Sequence, residues 1–347
     1  MQLWHQPLTE NAMRRGLRVS LGASFGFVFC KFFELDFGVF FVVTPILLLG
    51  AVAKINANIV RQSLAAAVVS GLEVGLLAAI FSSHPLLMTM LAFLLFVYKF
   101  ACMSGGSLFL FGSTGVLNLS IMLHFASYSS ADLNGMIAVN IWANVVALLI
   151  ALALVHVIPD RPVSPKPAAA PAAPVPKPGH RRRHEALLGA TVATLSFVVF
   201  QVFNLNDSLS AQATTLLLLF PLHWNGALSY ARKRVMGVTL GVTFGVASQL
   251  LLYNWSDQLL LVSLLLWIGL LMFSYVHAKE GGVPGLGFGG LTTLGILFGQ
   301  YLSPNQDIIF SALYRVSSIV VAVIITLFVC YLVHRILNRF EATRFGY

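Results

Sequence analysis

The chain has 347 residues, of which 58% are hydrophobic and only 10% charged, and its formal net charge is +9. A soluble domain carries about 25% charged residues, so this composition excludes an ordinary soluble enzyme and predicts an all-α polytopic membrane protein. The basic excess does not point to nucleic acid, because Lys and Arg are dispersed between apolar runs as the positive-inside rule describes.

The opening stretch MQLWHQPLTENAMRRG is polar and is not followed by a small-residue cleavage site. The first span is therefore expected to stay as an uncleaved anchor. Six apolar runs then follow, roughly Leu17–Phe33, Phe37–Val52, Ser63–Ser82, Pro85–Met103, Ser107–Ala126 and Met136–Val157. About 20 apolar residues cross a hydrocarbon core, so each is read as a transmembrane helix. Thr44 precedes Pro45 inside the second run, where proline frees a backbone carbonyl and can open a polar spot. Arg61 leads the third run, which also contains Glu73. A carboxylate at that depth is costly and faces a cavity or a partner. Two readings of Glu73 stand: a protonatable coupling site, and a structural glutamate paired with a buried basic or amide group. Lys99 lies near Gly105-Gly106 at the end of the fourth run. Asn140 and Asn144 are one turn apart on the sixth and share a face, which favours interhelical hydrogen bonding over substrate contact.

Asp160–Glu185, DRPVSPKPAAAPAAPVPKPGHRRRHE, breaks the pattern. Repeated proline removes backbone donors and fixes φ, so an extended polyproline linker is expected, basic at its end. Six further runs follow: Ala186–Phe203, Leu209–His223, Val235–Tyr253, Gln258–His277, Leu286–Leu302 and Ile309–Val333. Thr215 falls within the second of these and Arg232 at the mouth of the third. Lys279 sits beside Gly281-Gly282, and Arg315 is near the start of the last.

The two halves resemble each other. Phe29, Phe32, Thr44 and Arg61 align with Phe200, Phe203, Thr215 and Arg232 at a shift of 171, and FVYKFACMSGG aligns with FSYVHAKEGGV at 177. The chain is thus read as residues 1–159, a linker at 160–185, and residues 186–347, with about twelve transmembrane helices in two parallel six-helix repeats. Arg14, Arg15, Arg18, Lys54, Arg61, Lys99, Arg232–Arg234, Lys279, Arg335 and Arg339 gather on one side if both termini are cytoplasmic. Glu34, Asp36, Asp132, Asp207, Asp257 and Asp307 then fall outside. Arg61 and Arg232 have two readings, an anion-attracting pair at the inner mouth or plain topology markers. Arg315 is read as snorkelling, as pairing with Asp307, or as lining an exit. Cys30, Cys102 and Cys330 lack paired spacing and read as free thiols. No HExxH, GxSxG or Walker A motif occurs, so no enzyme activity and no cofactor are expected. The Gly237, Gly241, Gly245 series suits close helix packing and is compatible with a homodimer.

MRRGLRVSLGASFGFVF, RQSLAAAVVSGLEVG and its second copy RKRVMGVTLGVTFGV resemble the fusaric acid resistance and aromatic acid exporter superfamily, and within it the small DUF2955 branch. The resemblance implies a bacterial inner-membrane exporter of aromatic or hydrophobic carboxylic anions, driven by protons. It also implies a periplasmic membrane fusion protein of the HlyD type as partner, reaching an outer-membrane channel. Larger relatives carry cytoplasmic domains after each half, whereas this chain has a Pro/Ala linker and a short tail. On this reading Glu73 is the proton-coupling candidate. Arg61, Arg232, Lys99, Lys279, Asn140, Asn144, Thr44, Thr215 and Arg315 are pathway candidates. Two rival readings are a passive anion channel and a non-transporting subunit that anchors a periplasmic adaptor.

Overall fold

A computed structural model describes residues 8–52, 54–128, 132–161, 177–205, 209–255, 257–301 and 308–345. Among them are twelve α-helices and no strand. The first six are α1 (Glu10–Phe32), α2 (Val39–Ala51), α3 (Ala57–Phe81), α4 (Pro85–Gly105), α5 (Phe109–Ala126) and α6 (Leu133–Val157). The others are α7 (Gly179–Val202), α8 (Leu209–Leu218), α9 (Trp224–Leu251), α10 (Leu259–Lys279), α11 (Leu286–Tyr301) and α12 (Ile308–Leu337). Side-chain caps set several of the starts: Thr9 accepts from the Ala12 amide, Asn56 from Ile59 and Asp132 from Gly135, each satisfying an otherwise orphaned donor. α1 and α7 stop in the same way. Leu35 N–H returns to the Cys30 carbonyl at 2.9 Å and Leu205 N–H to Phe200 at 3.0 Å. Glu34 and Asn204 take the left-handed position at φ 51° and 53°, the geometry of a Schellman cap.

Eight of the helices are long and apolar enough to cross a membrane: α3 to α7, α9, α10 and α12. The other four, of the twelve spans expected, are not both long and apolar enough by this measure among the described residues. α1 is diluted by Glu10, Arg14, Arg15, Arg18 and Lys31. α2 has 13 residues and α8 has 10, which rise about 20 Å and 15 Å against a hydrocarbon core of roughly 30 Å. All ten residues of α8 are buried, so this helix lies within protein, packed on α5, α7, α9 and α12. Irregular backbone at such depth is tolerated where protein or a cavity receives it.

Two boundaries differ from the sequence reading. α7 starts at Gly179, so Arg181–Arg183 and Glu185 belong to a helix rather than to the linker. α9 starts at Trp224 and carries Arg232 and Lys233 on its exposed side. Arg182, Arg183, Arg232 and Lys233 lie on exposed helical faces, which apolarity alone reads as a break. Residues 162–176, the body of the expected polyproline linker, and Asp207 and Asp307 lie outside the described residues.

Each half contacts the other through its first helix. α1 packs along α10 and α7 along α4, while α11 meets α2 and α5 meets α8. Within the halves α3 packs on α5 and α9 on α11. The inner layer is α2, α5, α8 and α11, whose residues are largely buried. Close approach of α1 and α2 depends on Gly26, where a Cβ would stand 2.0 Å from the Phe41 carbonyl oxygen. Backbone cannot yield there as a side-chain tip would. Gly26→Ala is expected to cost at least about 3 kcal/mol, read as loss of monodisperse protein and of the thermal transition in detergent.

The segments that follow α6 and α12 are each strapped to the helix that opens their own half. After α6, Arg14 donates to the Pro159 carbonyl at 2.7 Å, and Asn11 exchanges two hydrogen bonds with the Arg161 backbone. After α12, His184 Nδ1 lies 2.7 Å from the Thr343 carbonyl and must donate to it. His184 Nε2 then accepts from His334 Nδ1 at 2.9 Å, and His334 Nε2 accepts from Asn338 at 3.0 Å. Asn338 Oδ1 in turn accepts the Phe345 amide, and the Phe345 ring stacks on His223 beneath Arg181.

Candidate functional site

Two neighbouring spaces lie where the halves meet. The first is a vestibule of about 360 Å³ between the start of α1 and the end of α10. Arg15, Arg18, Asn11, Asp160, His277 and the glycine turn at 281–282 line it. Arg15 and Arg18 are three residues apart and so project from one face of α1. Arg18 is buried and pairs with Asp160 at 2.5 Å. Arg15 turns to the end of α2, donating from Nη2 to the Gly50 carbonyl at 2.6 Å and from Nε to Leu49 at 3.5 Å. Among the described residues no carboxylate pairs with Arg15 within 4.0 Å. Room for its guanidinium comes from Gly282, at φ 72°, where a Cβ would lie 3.0 Å from Arg15 Nη1. Any other residue there would be strained and would push the cation aside.

The second space is an apolar cavity of about 130 Å³. Leu47 of α2, Leu110 and Leu117 of α5, Phe220 after α8 and Phe288 of α11 wall it, and Ser113 and Thr114 are its hydroxyls. His277 and Gly282 border both spaces. The His277 ring reaches the Gly50 carbonyl with Nε2 at 3.2 Å, so it stands between them beside Arg15. Two guanidiniums at a mouth, one of them without a carboxylate partner, draw anions. A ring-lined chamber behind them suits an apolar body.

Of the residues singled out from sequence, Glu73 and Lys99 come together. Their charged groups are 3.0 Å apart, with the Lys99 side chain fully buried and that of Glu73 14% exposed. Lys99, expected on the inner side, is thus buried between helices and paired with Glu73. Its ammonium stands over the Phe111 ring, 4.4 Å from the centroid, a cation–π contact. At Gly115 a Cβ would be 3.0 Å from its Cδ. Phe111 and Gly115 present one face of α5 to this pair, while Leu110, Ser113, Thr114 and Leu117 present the other to the cavity. One helix therefore separates the buried ion pair from the chamber.

The other candidates are scattered. Arg61 and Arg232 are exposed, outside both spaces, and Lys279 is half-buried beside the glycine turn. Asn144 donates to the Asn140 carbonyl at 2.8 Å and accepts from Ser63 at 3.2 Å, which ties α6 to α3. Thr44 is buried next to Pro45. Thr215 accepts from Thr326 at 3.1 Å and lines a separate apolar groove between α7 and α12. Arg315 is buried and reaches Ser210 at 3.5 Å, so it does not snorkel to the surface.

Sequence reasoning passed over Arg15, Arg18, Asp160, His277 and Arg234. The first two read as topology charge, although their i, i+3 spacing is a usable signal. Asp160 directly follows the sixth run, and nothing in its local sequence announces a partner in α1. Glu185, expected in the linker, is buried, and it pairs with Lys177 at 2.7 Å and Arg181 at 3.2 Å. Among the described residues no three His, Cys, Asp or Glu side chains converge as a metal site requires.

Residues 15–154 match the family described as Protein of unknown function (DUF2955). The first half carries the DUF2955 match. It begins at Arg15, one of the vestibule cations, and runs through Glu73, Lys99 and the cavity-lining face of α5, ending within α6. No curated protein and no solved structure matched the chain.

Proposed function

We propose that this protein exports organic anions, aromatic or hydrophobic carboxylates above all, across a bacterial inner membrane. The observation that carries the reading is a basic vestibule and an apolar chamber lying side by side where the halves meet, with His277 and Gly282 lining both. A transported carboxylate has a charged head for Arg15 and Arg18 and an apolar body for the space walled by Phe220 and Phe288. We further propose that the chain is two parallel six-helix repeats with both termini cytoplasmic. The paired contacts of α1 with α10 and α7 with α4 support this. So do the matching caps after α1 and α7, with Glu34 and Asn204 both left-handed.

Glu73 is the proposed proton carrier, acting with Lys99. Since α5 separates them from the chamber, a change in the charge of the pair would reach the substrate by shifting that helix. The HlyD-type adaptor and the outer-membrane channel enter on the family resemblance. The test is uptake of radiolabelled benzoate into proteoliposomes with and without an imposed pH gradient. Accumulation that collapses with the gradient supports a proton-driven exporter. Flux that follows the benzoate gradient alone identifies a passive channel, and no flux leaves the adaptor-anchoring subunit as the better account.

A further inference from the structure

We propose that Arg15 and Arg18 form a carboxylate-binding site that the protein keeps occupied with its own Asp160, and that an incoming carboxylate enters by displacing it. The inference deepens the transport reading and rests on it for the direction of passage, but not for binding. The asymmetry of the ion pair points this way. The Arg18 side chain is 5% exposed and fixed in the α1 interface, whereas that of Asp160 is 34% exposed at the vestibule mouth. The strap that carries Asp160 is held by other groups, namely Pro159 and Arg161 on Arg14, Asn11 and Glu10. A rotation of the Asp160 side chain therefore delivers its carboxylate to water while the strap stays in place.

What remains is a cation pair with free donors. Arg15 uses Nε and Nη2 on the Leu49 and Gly50 carbonyls, and among the described residues its Nη1 makes no hydrogen bond. Arg18 Nη2 is released when Asp160 leaves. Guanidinium groups recognise carboxylates through such planar donors, and the ligand class is the one the protein itself places there. The vestibule holds two guanidiniums against one carboxylate, so its field favours an anion even with Asp160 in place. Self-occupancy reduces apparent affinity by the fraction of time the site is closed. It also keeps Arg18 from facing the interior unpaired between ligands.

The test is calorimetric titration of sodium benzoate into the full-length protein in nanodiscs. Asp160→Asn removes the tethered competitor, keeps the side-chain shape, and is expected to tighten benzoate binding about tenfold. Asp160→Glu restores a competing carboxylate and is expected to return the affinity towards wild type. The double variant Arg18→Gln/Asp160→Asn, which removes both charges of the Arg18–Asp160 pair and leaves Arg15 as it is, is expected to lose the tightened binding. Unchanged or weaker affinity in Asp160→Asn overturns the proposal, as does a double variant that binds as tightly as Asp160→Asn. Benzoate binding in the expected pattern by a protein that moves no benzoate in proteoliposomes supports the site and removes the transport reading.

Discussion

Glu73→Gln is expected to strand Lys99 and to destabilise the protein by about 3 kcal/mol or more, the usual consequence of removing one partner from a buried ion pair. The Lys99 side chain is fully buried and Glu73 is its ion-pair partner at 3.0 Å. The Phe111 face can hold part of the charge, but a cation–π contact supplies on the order of 1–2 kcal/mol, less than the pair loses. Lys99→Met is expected to be milder, because Glu73 is partly exposed and can take a proton. Glu73→Gln/Lys99→Met removes both charges and is expected to recover most of the stability. A double-mutant cycle on thermal unfolding in detergent measures the coupling. The double variant also separates the two roles of the pair. If it is folded and still accumulates benzoate with full dependence on the pH gradient, the pair is structural and proton coupling lies elsewhere. Gradient-independent flux through the same stable variant assigns coupling to it.

Much of the helical frame was legible because apolar length and charge punctuation are local signals. The twelve runs anticipated twelve helices, with the largest errors where a helix continues through charge, at Gly179 for α7 and Trp224 for α9. The site was less legible, because its determinants are pairings. Glu73 meets Lys99 from another helix, and Arg18 meets Asp160 across 142 residues of sequence. Apart from its i, i+3 spacing from Arg15, Arg18 reads locally as an ordinary topology charge, and Asp160 reads as a linker acid. Arg232 and Arg234 illustrate the limit at finer scale. Alignment with Arg61 selected Arg232, yet two positions along a helix are about 200° apart in direction. The helix therefore presents Arg232 to the exterior and buries Arg234. The alignment records sequence position and is blind to which side of α9 faces α11.

Arg234→Met should accordingly be among the most damaging substitutions in the second half, while Arg232→Gln two residues away should change stability by less than about 0.5 kcal/mol. Arg234 is fully buried. It donates from Nη2 to Thr214 Oγ1 at 3.1 Å, and from Nη1 to the Gly289 carbonyl at 3.3 Å and Thr292 Oγ1 at 2.5 Å. One guanidinium thus fastens α9 to α8 on one side and to α11 on the other. α8 is too short to be held by its own length, and each hydrogen bond to a charged group contributes about 1.5–3 kcal/mol. Arg234→Met removes this set together and is expected to cost several kcal/mol, measured as the thermal midpoint against Arg232→Gln. Arg234→Lys should rescue little, since a point charge cannot replace a fork that serves two helices at once. The functional consequence follows from position. Phe288 adjoins Gly289 on α11 and Phe220 follows α8, and both wall the chamber. Loosening the Arg234 fastening therefore moves the chamber wall without altering a group that touches the carboxylate. Benzoate transport by Arg234→Met at a temperature where it remains folded should show a weakened KM and a broadened preference among ring sizes, with the pH-gradient dependence unchanged. Loss of gradient dependence instead would place Arg234 in the coupling machinery alongside Glu73 and Lys99.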